Sequence, residues 1–270
     1  MIEEIFAQIT PEGRLSLGGV QMGHELFKQI ALNEDIKDLQ LNGCGINDED
    51  FIFFLLNNKT VKRLDLDEND ITIESIRYIP EHSVLEMLVL SNQYPQVTSE
   101  CCQYFTNPHL KALSLSTGAI DDEGCFYLSQ HKNLKALYLS DNNITDVGAD
   151  YFADNKTLEK LVLGNNRLTS LSVKRFSENS TLTDLSLGQT KIEDEGAIAL
   201  SQMQSLRFLN LNFSQVSNVG AIALQSLPAG EIVEIDGTIS NKELLFSRKF
   251  LKLKGKPEKL PDYMNRDYRF

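Results

Sequence analysis

The sequence predicts an α/β solenoid bent into a horseshoe, with short parallel strands on the concave face and helices on the convex face. Three observations lead there. A pattern of apolar positions returns about every 24 residues through most of the chain. Each repeat carries a Leu-x-Leu core followed by a small or amide side chain at its ninth position. Each then shows an acidic or polar residue, a pair of small residues and an apolar stretch at helical spacing. A unit of this size cannot bury its apolar face alone, so neighbours must stack to make a continuous core.

Full repeats start at Ile36, Val61, Leu85, Leu110, Leu134, Leu158, Leu182 and Leu206, and the steps between them are 25, 24, 25, 24, 24, 24 and 24 residues. A degenerate first repeat places Leu15, Leu17 and Met22 in the same register. Ahead of it Ile2, Ile5, Phe6 and Ile9 fall at helical spacing, which predicts a capping helix over the exposed end of the core. A residual repeat keeps Val233 and Ile235 in register and then drifts, as a terminal repeat does. The domain organisation is a capping helix in 1–11, an array of about ten repeats in 12–240, and a basic helix, cap and tail in 241–270.

Within the reference repeat, Leu137 and Leu139 point inward and Tyr138 outward, as the two-residue period of a strand requires. The ninth position holds Cys44, Asn69, Asn142, Asn166, Thr190 and Ser214, side chains able to bond backbone groups in the turn after the strand. Asp48, Asp122, Asp146, Asp194 and Asn218 stand where an N-cap must open a helix. Gly148-Ala149, Gly196-Ala197 and Gly220-Ala221 follow, small enough to let each helix lie close against the next repeat. Asn33, Asn57, Asn155 and Asn179 stand where the helices end, and Asn tolerates the left-handed cap conformation. His82 and His131 take that same place in two repeats.

The pattern is that of a leucine-rich repeat, and Gly-Ala-Ile-Ala-Leu at 196–200 and again at 220–224 resembles the GALA type, which is related to the ribonuclease-inhibitor-like class. That resemblance implies a bacterial effector delivered into host cells, where its repeats bind a host protein. Some members carry an F-box ahead of the repeats. About a dozen residues precede the first repeat here, too few for one, so the resemblance does not extend to recruitment of ubiquitin ligase through an F-box.

The net charge is −12, which argues against nucleic acid, because phosphate binding needs Lys and Arg to release counterions. Residues 241–270 hold nine Lys or Arg against four Asp or Glu, a net of +5 that leaves −17 for residues 1–240. Lys242 to Leu251 reads as a basic helix with an apolar stripe: a cap on the last repeat, or a segment touching a membrane or a partner. Cys44, Cys101, Cys102 and Cys125 form no metal-binding spacing and read as reduced thiols. Cys102 and Cys125 align at the Ala position of successive repeats and read as buried core residues. No phosphate loop, HExxH motif or nucleophile elbow occurs. No cofactor, metal, nucleic acid or small-molecule substrate is therefore expected, and the chain reads as a monomeric, cytoplasmic, non-catalytic scaffold for a protein partner. The alternative is an adaptor or inhibitor that recruits or blocks a host enzyme such as ubiquitin-ligase machinery.

The outward strand positions point to where the partner sits. Arg14, Asp38, Gln40, Arg63, Asp65 and Asp67 make a solvated mixture in the early repeats. Met87, Val89, Ala112, Ala136, Tyr138 and Val162 follow, with Phe208 further on. With about 4.8 Å between strands, these are expected to form one exposed apolar stripe on the concave face. Val and Tyr are also good strand formers, which would place them there without a partner. Tyr94, in a two-residue insertion between Leu90 and Val97, is a second candidate.

Overall fold

The computed structural model describes residues 2–227 and 232–235. The chain divides into two compact bodies, Met1–Ala119 with His131–Leu134, and Ile120–Gln130 with everything from Lys135 onward. In the first body, helix α1 (Ile2–Phe6) leads into β1 (Arg14–Ser16), α2 (His24–Ala31), β2 (Asp38–Gln40), α3 (Asp48–Asn57), β3 (Arg63–Asp65), the single turn α4 (Ile73–Ile76), β4 (Met87–Val89) and β5 (Ala112–Ser114). The second body runs α5 (Asp122–Ser129), β6 (Ala136–Tyr138), α6 (Asp146–Ala153), β7 (Lys160–Val162), α7 (Ser170–Phe176), β8 (Asp184–Ser186), α8 (Asp194–Leu200), β9 (Phe208–Asn210), α9 (Asn218–Leu224) and β10 (Ile232–Glu234). Strands pair in chain order, and in parallel, within each body. This is the α/β solenoid that the repeat pattern predicts.

The register follows from the leucines. Leu15, Leu39, Leu64, Leu88 and Leu113 stand opposite one another in the first body, as do Leu137, Leu161, Leu185 and Leu209 in the second. All nine are almost completely buried. A one-residue slip would turn every one of them outward, so the buried face alone fixes the pairing. Helix α1 covers less than the spacing predicts: it stops at Phe6 and leaves Ile2, Ile5 and Phe6 half-buried. In the repeat with the insertion, a 3-10 helix (Ser99–Tyr104) replaces the α-helix. Cys101, Cys102 and Cys125 are buried free thiols in the core.

The turns after the strands are held by side chains that act as backbone. Asn69 Oδ1 accepts the amides of Cys44 and Ile46, while its Nδ2 donates to the carbonyls of Leu41, Leu66 and Asp67, all at 2.9–3.1 Å. Asn166 repeats the arrangement with Ile144, Leu139, Leu163 and Gly164. Gln93 performs the same role in the repeat that carries the insertion, accepting from Ile71 and donating to Leu66 and Ser91. One amide thus satisfies buried groups in two consecutive turns, which neither turn can pair by itself.

Three local readings are corrected. The helix caps sit one residue earlier than expected, at Asn47, Asp121, Thr145, Glu193 and Ser217, and Asp48, Asp122, Asp146 and Asp194, which follow four of them, bond the neighbouring repeat instead. Asp194, the first residue of α8, accepts the Ser217 amide at 2.7 Å, the Ser217 hydroxyl at 2.6 Å and the Gly220 amide at 2.9 Å. Burial opposes its ionisation, but these bonds from Ser217 and Gly220 outweigh it and hold its pKa below the ordinary carboxylate value. Asp122 binds Thr145 and Gly148 in the same way.

The small residues, second, let each helix approach the preceding repeat rather than the next one: a Cβ on Gly220 would lie 2.7 Å from Asp194 Oδ1 and 2.9 Å from Ala197 Cβ. Third, Asn33, Asn57, Asn155 and Asn179 are not left-handed caps. Among the described residues the non-glycine left-handed positions stand elsewhere, just after the strands. Asn155 and Asn179 instead tie the start of one strand segment to the helix end before it.

Truncating Asn69 to Ala orphans buried amides and carbonyls, so the urea midpoint should fall by the equivalent of about 1–3 kcal/mol at unchanged m. Asn69→Asp should cost more than Asn69→Ala at neutral pH, because it sets a carboxylate against three carbonyls. Gly220→Ala, which in an ordinary helix interior gains roughly 1 kcal/mol, should here destabilise by a similar amount. A double-mutant cycle with Asp194→Ala should give less than the summed loss, since both changes break the same contact.

Candidate protein-binding face

The outward side of each three-residue strand gives two positions per repeat from which a partner could be read. In the first body the expected solvated mixture is more ordered than its composition suggests. Asp38 is 3% exposed and lies between the guanidinium groups of Arg14 at 3.9 Å and Arg63 at 3.2 Å. Glu86 bridges Lys62 at 3.2 Å and Lys111 at 2.8 Å, and the Lys111 ammonium holds its carboxyl below the usual range. Asp67 goes the other way: burial raises its pKa, aided by Asp65 and Glu68 beside it and only partly offset by the amide of Asn92.

The apolar column does not form an exposed stripe. Met87 and Val89 are 4% and 2% exposed, Ala112 and Ala136 not at all, and Tyr138 only 6%. Strands spaced at about 4.8 Å bring each side chain against those of its neighbours, so a short one is overshadowed by a taller one beside it. Ala112 pairs with Met87, and Ala136 pairs with Lys160, whose ammonium lies 5.3 Å from the Tyr138 ring centroid. Tyr138 is thus a covered aromatic under a cation, a packing role. Val162 and Phe208 are half-buried, and Tyr94 in the insertion is 83% exposed.

A feature that sequence reasoning missed lies at the rim. One residue per repeat, immediately before the ladder position, has left-handed backbone: Glu68, Asn92 and Thr117 in the first body, and Asp141, Asn165, Gln189 and Phe213 in the second, with φ between 49° and 58°. Asn and Asp tolerate that region, and other side chains, Phe among them, hold it at a cost of roughly 1–2 kcal/mol. Phe213 is nevertheless there, and it is 64% exposed. The signal was present as a Phe in a column otherwise made of Glu, Asn, Thr, Asp and Gln.

The histidines do not converge on a reaction centre. His24 contacts Asp50 and Glu49 at the start of α3, His109 lies exposed, and His82 and His131 are buried at the helix ends. Among the described residues no helix is long and apolar enough to cross a membrane.

Two descriptions of leucine-rich repeat match the chain, one over residues 132–192 and 156–216 and the other over 57–79 and 106–129. No protein with a curated description matches it. Among solved structures it is similar to internalin C2 of Listeria monocytogenes str. 4b F2365, at 24% identity and a TM-score of 0.58, over 80% of this chain and 84% of that one. An internalin, inlF, of the same organism is similar at 18% identity and a TM-score of 0.42, over 93% of this chain and 86% of that one.

Because Tyr138 is covered, Tyr138→Ala should behave as a core truncation, lowering stability by about 3 kcal/mol in chemical unfolding rather than leaving it untouched.

Proposed function

From the premise that this is a leucine-rich repeat protein, a class that generally mediates protein–protein interaction, we propose that the chain is a protein-binding scaffold without chemistry of its own. Its partner docks on the strand side of the second body. Phe213 carries this reading: it is an aromatic side chain 64% exposed on left-handed backbone, and such outliers gather where a surface has a second task. Phe208 and Val162 lie half-buried in the same body, while Asp141, Asn165 and Gln189 supply a polar rim. An aromatic centre with a polar surround is the usual anatomy of an interface. Of the residues first expected in the stripe, Val162 and Phe208 stay in this surface and Tyr94 is a separate exposed contact in the first body. Met87, Val89, Ala112, Ala136 and Tyr138 support the sheet beneath.

The Gly-Ala-Ile-Ala-Leu repeats and their resemblance to the GALA type favour a host protein as that partner. The chain would then act as an effector in the cytosol of a host cell, and four buried free thiols fit a reducing compartment. Recruitment or blockade of a host enzyme is a consequence such binding would have.

A photo-crosslinking amino acid placed at residue 213 of the full-length protein, exposed in parallel to eukaryotic and bacterial extracts, will identify the partner. Phe213→Ala and Phe208→Ala should each weaken that partner about tenfold or more, at an unchanged urea midpoint for Phe213→Ala. A partner captured through this residue whose affinity neither substitution alters would remove the proposed surface.

A further inference from the structure

At the end of several helices a side chain turns back to hold the first amides of the following segment. Asn58 Oδ1 accepts the amides of Thr60 at 3.1 Å and Val61 at 2.8 Å, and Asn179 does the same for Thr181 and Leu182 at 2.9 Å. In two repeats of the first body an imidazole does this work. His82 Nδ1 accepts the amide of Leu85 at 3.1 Å, with Val84 at 3.4 Å. His131 Nδ1 accepts those of Asn133 and Leu134, both at 3.1 Å. An Nδ1 that accepts two amides carries no proton, which fixes the neutral tautomer with hydrogen on Nε2. The His131 Nε2 then donates to the Asn107 carbonyl at 3.0 Å, and Asn107 Nδ2 donates to the His82 carbonyl at 2.6 Å. His82, Asn107 and His131 are therefore consecutive rungs of one chain of bonds.

We propose that these three rungs are an acid-released joint: protonation of His82 and His131 at Nδ1 sets an N–H against the amide N–H groups that each ring now holds, and frees the turns 82–85 and 131–134. Asparagine in the same place has no such transition, so the joint is confined to two repeats. The surroundings favour the neutral rings at neutral pH. His82 is 1% exposed and stacked on Phe54 of α3 with centroids 5.3 Å apart. The groups acting on it through charge are Lys59, just beyond α3, and His109, two residues past Asn107, and both oppose a positive charge on the ring. Burial is the larger cause, and together they lower its pKa to about 4. His131 is 9% exposed, and burial lowers it as well, with the Asn107 carbonyl working in the opposite direction. The charged groups acting on His82 include no carboxylate to stabilise its charged form.

The sign follows from a folded pKa below the open-state value. The closed joint is fully favoured above the ordinary histidine pKa of 6.5, loses ground as pH falls from there toward 4, and changes no further below that. At about pH 5 the His82 rung alone should shift its closed-to-open equilibrium about 30-fold relative to pH 8.

Hydrogen exchange of the full-length chain at about pH 8 and about pH 5, corrected for intrinsic exchange, reads this directly. The amides of Val84, Leu85, Asn133 and Leu134 should lose protection by about tenfold or more on acidification, while those of Thr60, Val61, Thr181 and Leu182, held by Asn, keep theirs. In His82→Asn/His131→Asn all eight should behave alike. Retained protection at the four histidine-held amides, a parallel loss at all eight in the wild-type chain, or a selective loss that survives in the double variant would each overturn the joint. The first comparison is made within one wild-type molecule, so it stands even if the variant does not fold.

Discussion

A repeat of 24 residues with a three-residue strand makes most of its backbone out of turns, and turns packed into a core bury amides and carbonyls that their own geometry leaves without partners. That constraint organises this chain. On the strand side it is met by Asn69, Gln93, Asn142 and Asn166, each of which spends both ends of an amide on backbone. On the helix side it is met by Asn58, Asn107, Asn155 and Asn179, and by two imidazoles that offer the same acceptor from Nδ1. The leucines supply the bulk of the burial and fix the pairing of the strands, but they leave the path of the turns between strand and helix open. Directional bonds from polar side chains decide where each turn closes, and in that sense the polar ladder specifies what the apolar core drives.

The surface follows from what the ladders leave over. Positions whose side chains are committed to backbone are unavailable for recognition, and so are outward strand positions that neighbours overshadow. What remains is the rim of left-handed residues and the occasional larger side chain in the sheet. The rim is where a scaffold of this kind can vary without disturbing its core, because the backbone there is already turned outward. A Phe at 213, with Phe208 in the strand before it, is the point at which this sequence departs furthest from what stability alone would choose.

The architecture was legible because its signal is redundant: Leu137 and Leu139 recur in every repeat, and an error at one is corrected by the next. The roles of single residues were less so. Asp194 reads as an N-cap from its place before an apolar run, and only the approach of Gly220 shows that its carboxylate belongs to the following repeat. Asn155 and Asn179 read as left-handed from their place after a helix, although their side chains and not their backbones do the work. The expected stripe failed for a related reason. Alternation along a strand tells which way Ala136 points, yet its exposure depends on the height of Lys160 beside it, a fact of the neighbouring repeat. Sequence periodicity describes one repeat well and the fit between two poorly.

The contact between Asp194 and Gly220 bears on how such an array can change its length. Several repeats present an acceptor at the head of the helix and meet, one repeat later, a chain without a Cβ or with a hydroxyl of the right reach. Asp122 meets Gly148, Asp194 meets Gly220, and Asp48 meets the hydroxyl of Ser75 at 2.5 Å. Gly196 follows Ser170, whose hydroxyl instead accepts the Glu193 amide. Repeats are accordingly not interchangeable beads. They carry mating ends, and a duplication or deletion leaves a sound joint only where the new neighbours happen to match. That requirement on the junctions holds independently of what the finished surface binds.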